Sequence, residues 1–292
     1  MQPLTYHHVD VFANGPLSGN GLTVFLNTED WPGTLMQRLT QEMKQFESIF
    51  LSEISAGGAR AHVFTVDEEL GFAGHPVLGA AAVLHQVVTP DADESPWVLR
   101  LPVGPVPVVT RQVGDHIVAE MNQGQPVFGA NVTGTALAPI LERMGLQPDD
   151  LVAGLVPRVI STGLPYLILP VGPAALAHTA ISGSDLETHL AVVGAKFVLV
   201  LDVTARELRT WDNLGRVEDV ATGSAAGPVA AYLRANDFAA TDERIEIAQG
   251  RFVNRPSKIS VRADHHGTLY VSGAVWPVAQ GTLDPGVLHE EI

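Results

Sequence analysis

Glu47, His75, Asp219 and Ser224 are four side chains of types that can take part in proton-transfer chemistry. Glu47 lies in the otherwise apolar stretch QFESIFLS, where burial would disfavour the charged carboxylate and suit it to general acid–base catalysis. Each also has an ordinary structural explanation. Glu47 could be a solvent-facing strand residue and His75 a structural imidazole. Asp219 could stabilise its loop, and Ser224 could cap a helix. Glu218, next to Asp219, is predicted to lie on the surface. Taken singly, each of the four residues is better explained by structure than by catalysis.

His75 and Ser224 stand at two predicted helix starts. GHP places Pro76 at the predicted first helical position, and TGSAAG offers Thr222 and Ser224 as caps. The free N–H groups and the positive dipole end of a helix start bind carboxylates, so these starts could hold an acid against the overall negative charge of the chain. From spacing alone, capping by Ser224 and a tight turn at Gly74 is the simpler interpretation.

The two helix starts belong to similar segments, GHPVLGAAAVLH at residues 74–85 and GSAAGPVAAYLR at residues 223–234. Each follows a predicted strand and opens a helix rich in alanine and glycine, whose small side chains let surrounding backbone approach closely. Identical residues in the two segments are Gly74 and Gly223, Ala81 and Ala230, Ala82 and Ala231, and Leu84 and Leu233. Because the offset of 149 positions is close to half of the 292 residues, we predict an internal duplication, with a ligand cleft between two similar halves.

Short strand patterns alternate with helical patterns along the chain. YHHVDVFA and LTVFLN predict strands, PGTLMQRLTQEMKQF predicts a helix, and Glu47 falls where this helix gives way to the strand ESIFLS. VLRLPVGPVPVVTR is interpreted as one strand and HIVAEMNQ as another, while QPVFGANVTG is interpreted as a loop. Because the pattern restarts after this loop, we predict two halves, residues 1–128 and 129–292, with the last strand, about 275–292, free to pack back onto the first half.

The composition predicts a folded protein and excludes several classes of partner. Hydrophobic residues make up 46% of the chain and charged residues 17%, which is enough apolar material for a sizeable core. The net charge of −15 argues against nucleic acid and against an anionic membrane surface, since both attract basic proteins. The N-terminal stretch does not resemble a signal peptide and no apolar run approaches the length of a membrane span, so we expect a cytosolic protein.

Several kinds of catalytic site have no support in the sequence. The chain has no cysteine, which excludes thiolate nucleophiles and thiol acid–base pairs. Ser224 is not in a G-x-S-x-G elbow, so a serine hydrolase is a poor third hypothesis. The adjacent pairs His7–His8 and His265–His266 would point to opposite faces of a strand and are poorly placed to share a metal ion. None of the three lysines lies in a glycine-rich phosphate loop and no G-x-G-x-x-G motif is present, which leaves pyridoxal chemistry, a P-loop and a nicotinamide site without support. Neither a metal nor a cofactor is predicted.

Seven stretches, spread over almost the whole chain, together resemble the PhzF-like phenazine-biosynthesis family. The most specific of the shared motifs are FAGHP and ATGSAAGP at this separation. The stretches are DVFANGPLSGNGLTVF, MQRLTQEMKQFESIF, FTVDEELGFAGHPVLGAA, STGLPYLILPV, EDVATGSAAGPVAAYL, QGRFVNRPSKI and VSGAVWPVAQGTL. The resemblance implies an α+β fold of the diaminopimelate-epimerase type, in which two similar pseudo-repeated halves each wrap a β-barrel-like sheet around a central helix.

The resemblance also implies a chemistry. The enzyme for which the family is named isomerises a dihydro-hydroxyanthranilic acid by moving a proton from one ring carbon to another. The family's glutamate base matches Glu47, and its histidine, aspartate and serine match His75, Asp219 and Ser224. Glu47 would remove a proton next to an unsaturated system and return it at a conjugated carbon, while the other three would hold polar groups of the substrate.

Four more residues are expected to bind the substrate. These are Gly74 and Gly223, whose surrounding N–H groups would bind an acid group, together with Thr222 and Asn20. The resemblance further implies a homodimer that acts on a small-molecule acid.

Phe46 stands where the family carries a small polar residue immediately before its glutamate. The resemblance therefore supports proton-transfer chemistry and leaves the substrate open. The leading hypothesis is a cofactor-independent isomerase acting on a small unsaturated or amino acid. The alternative is a small-acid-binding or scaffold protein that kept the fold without turnover, and joint retention of the four chemical residues favours the enzyme.

Overall fold

The computed structural model describes residues 4–288, which fall into two compact units. The first unit contains the residues up to Asn122 and those from Ser272 onward, and the second contains Gln123–Val271. Each unit has its own cluster of buried apolar side chains.

Helices and strands alternate along both units, with these bounds. The helices are α1 (Gly33–Met43), α2 (Gly74–Val88), α3 (Gly134–Arg143), α4 (Pro173–His178), α5 (Leu186–Val192) and α6 (Gly223–Ala235). The strands are β1 (Thr5–Val11), β2 (Asn20–Leu26), β3 (Glu47–Ser55), β4 (Gly58–Thr65), β5 (Glu69–Leu70), β6 (Glu94–Leu101), β7 (Gly104–Val113), β8 (His116–Gly124), β9 (Val127–Asn131), β10 (Arg158–Ser161), β11 (Pro165–Pro170), β12 (Phe197–Asp202), β13 (Glu207–Thr210), β14 (Ile245–Gln249), β15 (Ser257–Ala263) and β16 (Leu269–Thr282).

The first unit is a closed barrel of eight strands around helix α2. The strands pair in the order β1, β2, β3, β4, β6, β7, β8 and β16, and β16 pairs antiparallel with β1 to close the ring. Helix α2 contacts six of these strands, β1, β2, β3, β4, β6 and β7. All of its residues from Gly74 to His85 are buried, as expected of a helix enclosed on every side.

Close packing around α2 depends on its small residues. A Cβ added at Gly79 would collide with Leu22 Cδ2 and would lie only 3.0 Å from Val11 Cγ2 and 3.3 Å from Val9 Cγ2. The sequence of α2 therefore sets the distance between the helix and the first two strands of the barrel.

Helix α1 packs on β3 and β4 and leads directly into the strand that begins with Glu47. Its buried residues include Leu35, Met36 and Leu39, at the helical spacing predicted from the sequence. These residues cluster with Phe25 and Phe50, whose rings stack with centroids 4.6 Å apart. This apolar cluster anchors both ends of the connection that leads to Glu47.

The second unit is a sheet packed on helix α6. Its strands pair in the order β15, β14, β13, β12, β11, β10 and β9, and α6 contacts β10, β11 and β15. Gly227 allows α6 to lie close to Gln123 and Thr162, because an added Cβ would collide with Gln123 Oε1 and lie 3.1 Å from Thr162 Cγ2.

The predicted α+β fold with two similar halves, each a sheet around a central helix, is confirmed. Helix α2 begins at Gly74 and α6 begins at Gly223, so the two glycines matched by the internal comparison are each the first residue of a central helix.

Two element predictions are wrong. VLRLPVGPVPVVTR is not one strand, because β6 and β7 form an antiparallel hairpin that turns at Pro102 and Val103. Gly104, which follows the turn, has a φ of 122° that favours glycine. QPVFGANVTG is not wholly a loop, because it contains β9, which pairs with β10. All five residues of β9 are exposed, so the strand shows none of the alternation by which the sequence pattern is recognised.

The prediction that Pro76 is the first residue of its helix is also wrong. Helix α2 starts at Gly74 after Ala73, which makes Pro76 its third residue rather than its first. The first four N–H groups of a helix have no partner within the helix, so proline is tolerated there without loss of a hydrogen bond.

Candidate active site

A buried carboxylate–imidazole contact lies at the start of α2 in the first unit. Glu47 Oε2 is 3.1 Å from His75 Nδ1, and the two side chains are only 7% and 6% exposed. Asn20 Nδ2 lies 3.5 Å from the same imidazole nitrogen, at the outer limit of a hydrogen bond, and Asn20 is also buried. The structure thus brings together three of the predicted site residues, each from a different element.

The local sequence explains where Glu47 lies. Helix α1 ends at Met43, and Lys44 adopts the left-handed conformation (φ 53°) that turns the chain towards β3. Glu47 is the first residue of β3, in parallel register with Leu22 of β2 and in antiparallel register with Thr65 of β4. It is therefore fixed between two neighbouring strands at the beginning of its own strand.

Burial controls the protonation of His75. It lowers the pKa of His75 from 6.5 to about 3, and the backbone of Gly21 has a smaller effect in the opposite direction. His75 is therefore neutral near pH 7, with one N–H group. Either Nδ1–H donates to the Glu47 carboxylate, or a protonated Glu47 donates to Nδ1. Because the contact suits both ionisation states of Glu47, it is compatible with a residue that takes up a proton and returns it.

In the second unit, Asp219 and Thr222 lie in the loop that precedes α6. Thr222 Oγ1 donates to Asp219 Oδ2 at 2.5 Å, and Ala221 N donates to Asp219 Oδ1 at 3.4 Å. Gln249, at the end of β14, accepts from Thr222 N at 2.8 Å and donates through Nε2 to Asp219 O at 2.8 Å and to Thr222 Oγ1 at 3.0 Å. These hydrogen bonds fix the conformation of the loop.

Simple capping of α6 by Ser224 is wrong. The N-cap residue is Thr222, and its side chain makes no capping hydrogen bond, because the hydroxyl is directed to Asp219. Ser224 is the second residue of the helix, and its Oγ lies 2.7 Å from the hydroxyl of Tyr166, a buried residue of β11. Both hydroxyl groups at this helix start are thus engaged by other side chains.

The surface position predicted for Glu218 is also wrong. Its side chain is 9% exposed and forms a two-point ion pair with Arg209, at 2.9 Å from Nε and 2.6 Å from Nη2. The guanidinium of Arg209 lies 4.6 Å from the ring centroid of Trp211 and 4.3 Å from that of Phe252. These aromatic rings pack against the buried pair. Arg209 and both rings lie outside the stretch EDVATGS, so that stretch alone could not indicate the burial of Glu218.

Comparison with known proteins identifies the family. The sequence profile of the phenazine biosynthesis-like proteins matches residues 9–281. The chain belongs to this family. It is 32% identical to the trans-2,3-dihydro-3-hydroxyanthranilate isomerase of Pseudomonas chlororaphis, over 95% of this chain and 99% of that relative.

Solved structures of phenazine biosynthesis-like proteins and epimerases share the fold. A predicted epimerase from Pseudomonas aeruginosa is 46% identical, with a TM-score of 0.90 over 96% of this chain and 99% of that one. A phenazine biosynthesis protein of the PhzF family from Bacillus anthracis superposes with a TM-score of 0.81 at 19% identity, over 97% of this chain and 100% of that one. The predicted fold of the diaminopimelate-epimerase type and the predicted isomerase class are confirmed.

The eight predicted site residues of this phenazine biosynthesis-like protein divide equally between the units. Those in the first unit are Asn20, Glu47, Gly74 and His75, and those in the second are Asp219, Thr222, Gly223 and Ser224. Within each unit the structure places the residues near one another. That both groups act on one substrate stays a prediction.

Two residues that contact the predicted site were missed in the sequence. Burial alternates along β14, with Ile245, Ile247 and Gln249 buried, so a polar residue at an inward position of this strand was the available signal for Gln249. Tyr166 lies in PYLILP, which is buried on both faces and gives no comparable signal.

The described part of the chain, residues 4–288, contains no group of three or more His, Asp or Glu side chains arranged to hold a metal ion. Over that same range, no helix is both long and apolar enough to cross a membrane. The prediction that adjacent histidines point to opposite faces of a strand is wrong for His265 and His266. They lie in a turn after β15, and their ring centroids are 3.8 Å apart.

Proposed function

We propose that the protein is a cofactor-independent isomerase that moves a proton within a small unsaturated or amino acid, with Glu47 as the general acid and base. The buried contact of 3.1 Å between Glu47 and His75 is the observation on which the proposal depends. Relatives named trans-2,3-dihydro-3-hydroxyanthranilate isomerase support a cyclic, unsaturated acid as the substrate class. The chain has no cysteine, so a mechanism with two thiols is excluded.

In the proposed reaction, the Glu47 carboxylate removes a proton from a carbon next to a double bond. The electron pair of the broken C–H bond shifts along the conjugated system, and the protonated Glu47 returns the proton at the far end of that system. One C–H bond breaks, another forms, and the carboxylate is regenerated. No oxidant, reductant or external proton is consumed, which is consistent with an isomerase.

His75 supports this cycle because it is neutral. A cationic imidazolium beside Glu47 would stabilise the carboxylate and make it a weaker base. A neutral imidazole supplies a hydrogen bond to Glu47 Oε2 without adding a charge, since the pKa of His75 is lowered to about 3. His75 therefore orients the carboxylate while leaving it able to accept a proton, and Asn20 contacts the imidazole that does so.

The helix starts are the proposed binding groups for the acid function of the substrate. Gly74 is the first residue of α2, and the preceding Ala73 has no side chain able to cap it. Gly223 is the first residue of α6, and its N-cap side chain makes no capping hydrogen bond. N–H groups and a positive dipole end at such a start favour a carboxylate. In the same proposal, Asp219 and Ser224 hold the amino or hydroxyl groups, and Thr222 contributes through the hydrogen bond from its hydroxyl to Asp219.

Hydrogen–deuterium exchange tests this function. The protein is incubated in deuterated water with trans-2,3-dihydro-3-hydroxyanthranilate and a panel of related unsaturated and amino acids, and mass gain is followed. We expect Glu47→Gln to lower the exchange rate by about 10²- to 10⁴-fold, the usual contribution of general acid–base catalysis. Because the amide keeps the shape of the side chain, calorimetry should show that the acid still binds.

Glu53→Gln is the matched control. Glu53 lies on the same strand as Glu47, but its side chain is 56% exposed and pairs with Arg60 and Arg100 at the surface. This variant should exchange at the wild-type rate. Unchanged exchange in Glu47→Gln would remove Glu47 from the proposed role, whereas binding of an acid with neither exchange nor formation of an isomer in the wild type would identify a binding protein.

A further inference from the structure

We propose that Gln249 is a positioning residue for Asp219, which it holds, through Thr222, in the orientation used by the reaction. The proposal rests on the proposed function, in which Asp219 holds a polar group of the substrate. Gln249 is the last residue of β14, and it acts through its hydrogen bonds to the loop that carries Asp219.

The hydrogen bonds of this network can run in only one direction. Asp219 Oδ2 lies 2.5 Å from Thr222 Oγ1 and takes the single hydroxyl proton of that residue. Thr222 Oγ1 must then accept from Gln249 Nε2, which lies 3.0 Å away and also donates to Asp219 O at 2.8 Å. The remaining amide atom, Gln249 Oε1, accepts from Thr222 N at 2.8 Å. Rotating the amide by half a turn would place two donors against each other at Thr222 N.

A consequence of this polarity is that the Asp219 carboxylate is supplied with a donor at Oδ2. Without the bond from Gln249, the Thr222 hydroxyl would no longer be held from both sides. Gln249 thus orients the hydroxyl, and the hydroxyl orients the carboxylate.

Burial makes the network rigid. Gln249 is only 1% exposed and Thr222 is 8% exposed, so water cannot easily replace the bonds between them. A buried polar group that loses its partner bears the full cost of its desolvation. The loop and the amide therefore stay together in the folded protein.

The backbone at Gly250, directly after Gln249, also lies close to the loop that carries Asp219. Gly250 has φ of 84°, and a Cβ added there would collide with Arg255 O and lie 2.6 Å from Val220 O. Val220 is in the loop that carries Asp219. The chain segment of Gln249 and Gly250 is consequently packed directly against this loop.

A separate set of contacts holds the beginning of the loop. Asp219 N donates to Thr210 O at 3.0 Å, and Glu218 is paired with the buried Arg209. Removing the Gln249 side chain leaves these contacts in place, so we expect the loop to remain folded while the Thr222 hydroxyl that donates to the Asp219 carboxylate is less firmly held.

A double-mutant cycle tests the inference, using the exchange assay as the readout with kcat and KM determined separately. We expect Gln249→Leu to lower kcat/KM by about tenfold or more, because it removes three hydrogen bonds of the network. In an Asp219→Asn background the same substitution should change kcat/KM by less than about twofold, because its effect passes through Asp219. An equal fold-change in both backgrounds would overturn the inference.

A second variant keeps the test decisive if Gln249→Leu does not fold. Thr222→Val has nearly the same shape as threonine and removes only the hydroxyl that links Gln249 to Asp219. It should show the same loss of kcat/KM in the wild type and the same absence of effect with Asp219→Asn. Thr179→Val is the matched control, because its buried hydroxyl bonds to Ala175 O instead, and it should retain wild-type kinetics.

Failure of the inference can be told apart from failure of the proposed function. Wild-type exchange in Asp219→Asn alone would remove Asp219 from the proposed function and would overturn the role of Gln249 with it. The outcome that would overturn the inference alone has two parts: Asp219→Asn impairs exchange, and Gln249→Leu lowers kcat/KM by the same factor in the wild-type and Asp219→Asn backgrounds. The proposed function would then still stand.

Discussion

His75 Nδ1 lies 3.1 Å from Glu47 Oε2, and both side chains are buried in the first unit. Burial lowers the pKa of His75 from 6.5 to about 3 in the folded protein. At a pH between about 3 and 6.5, the unfolded chain binds a proton at His75 that the folded chain does not bind. The stability associated with neutral His75 is therefore fully present above about pH 6.5 and is lost as the pH falls towards 3.

We predict that His75→Asn flattens the pH dependence of stability. The free energy of unfolding of the wild type should fall more steeply between pH 6.5 and 4.5 than that of the variant. One proton sets the largest difference in slope at about 1.4 kcal/mol per pH unit. Urea denaturation at a series of pH values measures both slopes. Parallel curves for His75→Asn and the wild type would contradict the prediction.

A second prediction concerns the buried hydroxyl of Tyr166. Tyr166→Phe removes only the group that lies 2.7 Å from Ser224 Oγ and preserves the ring that packs on Phe197 at 5.5 Å. One net hydrogen bond contributes about 0.5–1.5 kcal/mol, so we expect kcat/KM in the exchange assay to fall by about two- to tenfold. With Ser224→Ala already present, the same change should have a smaller effect.

Tyr270→Phe serves as the comparison for this variant. Tyr270 OH donates to Asp264 Oδ2 at 3.4 Å and not to Ser224, so its removal should leave the kinetics unchanged. An identical loss in both tyrosine variants would show that the effect is not specific to the contact with Ser224.

A third prediction tests the packing of the central helix of the first unit. Gly79→Ala adds a methyl group where Leu22 and Val11 leave no space. Overpacking of this kind costs about 1–3 kcal/mol, and we expect the free energy of unfolding measured with urea to fall by that amount. Gly57→Ala is the control, because no atom lies within 4 Å of its added Cβ. Equal stability of the two variants would show that the barrel can expand around α2.

The sequence patterns predicted the elements that have a regular buried face. The helical spacing of Leu35, Met36 and Leu39 predicted α1, and the change to an apolar, β-branched run predicted that β3 begins near Glu47. Strand β9 was missed because its residues are all exposed, and hydrophobic alternation reports burial on one face. Glu218 was misplaced because its partner, Arg209, lies in a different element and only the folded chain brings the charges together.

The sequence alone determined which chemistry is available to this protein. Its lack of cysteine, its spacing of FAGHP and ATGSAAGP, and the internal match between Gly74 and Gly223 are properties of the order of residues. They predicted the repeat, the family and the isomerase class without reference to coordinates.

Only the tertiary structure decided how the individual groups are poised. The neutral state of His75 depends on how completely its ring is removed from water, and the sequence carries no direct measure of desolvation. The partners of Ser224 and Asp219, which are Tyr166 and Gln249, lie far away along the chain. Hydrogen bonds depend on distances of a few ångströms between atoms, and those distances exist only after the strands and helices have packed.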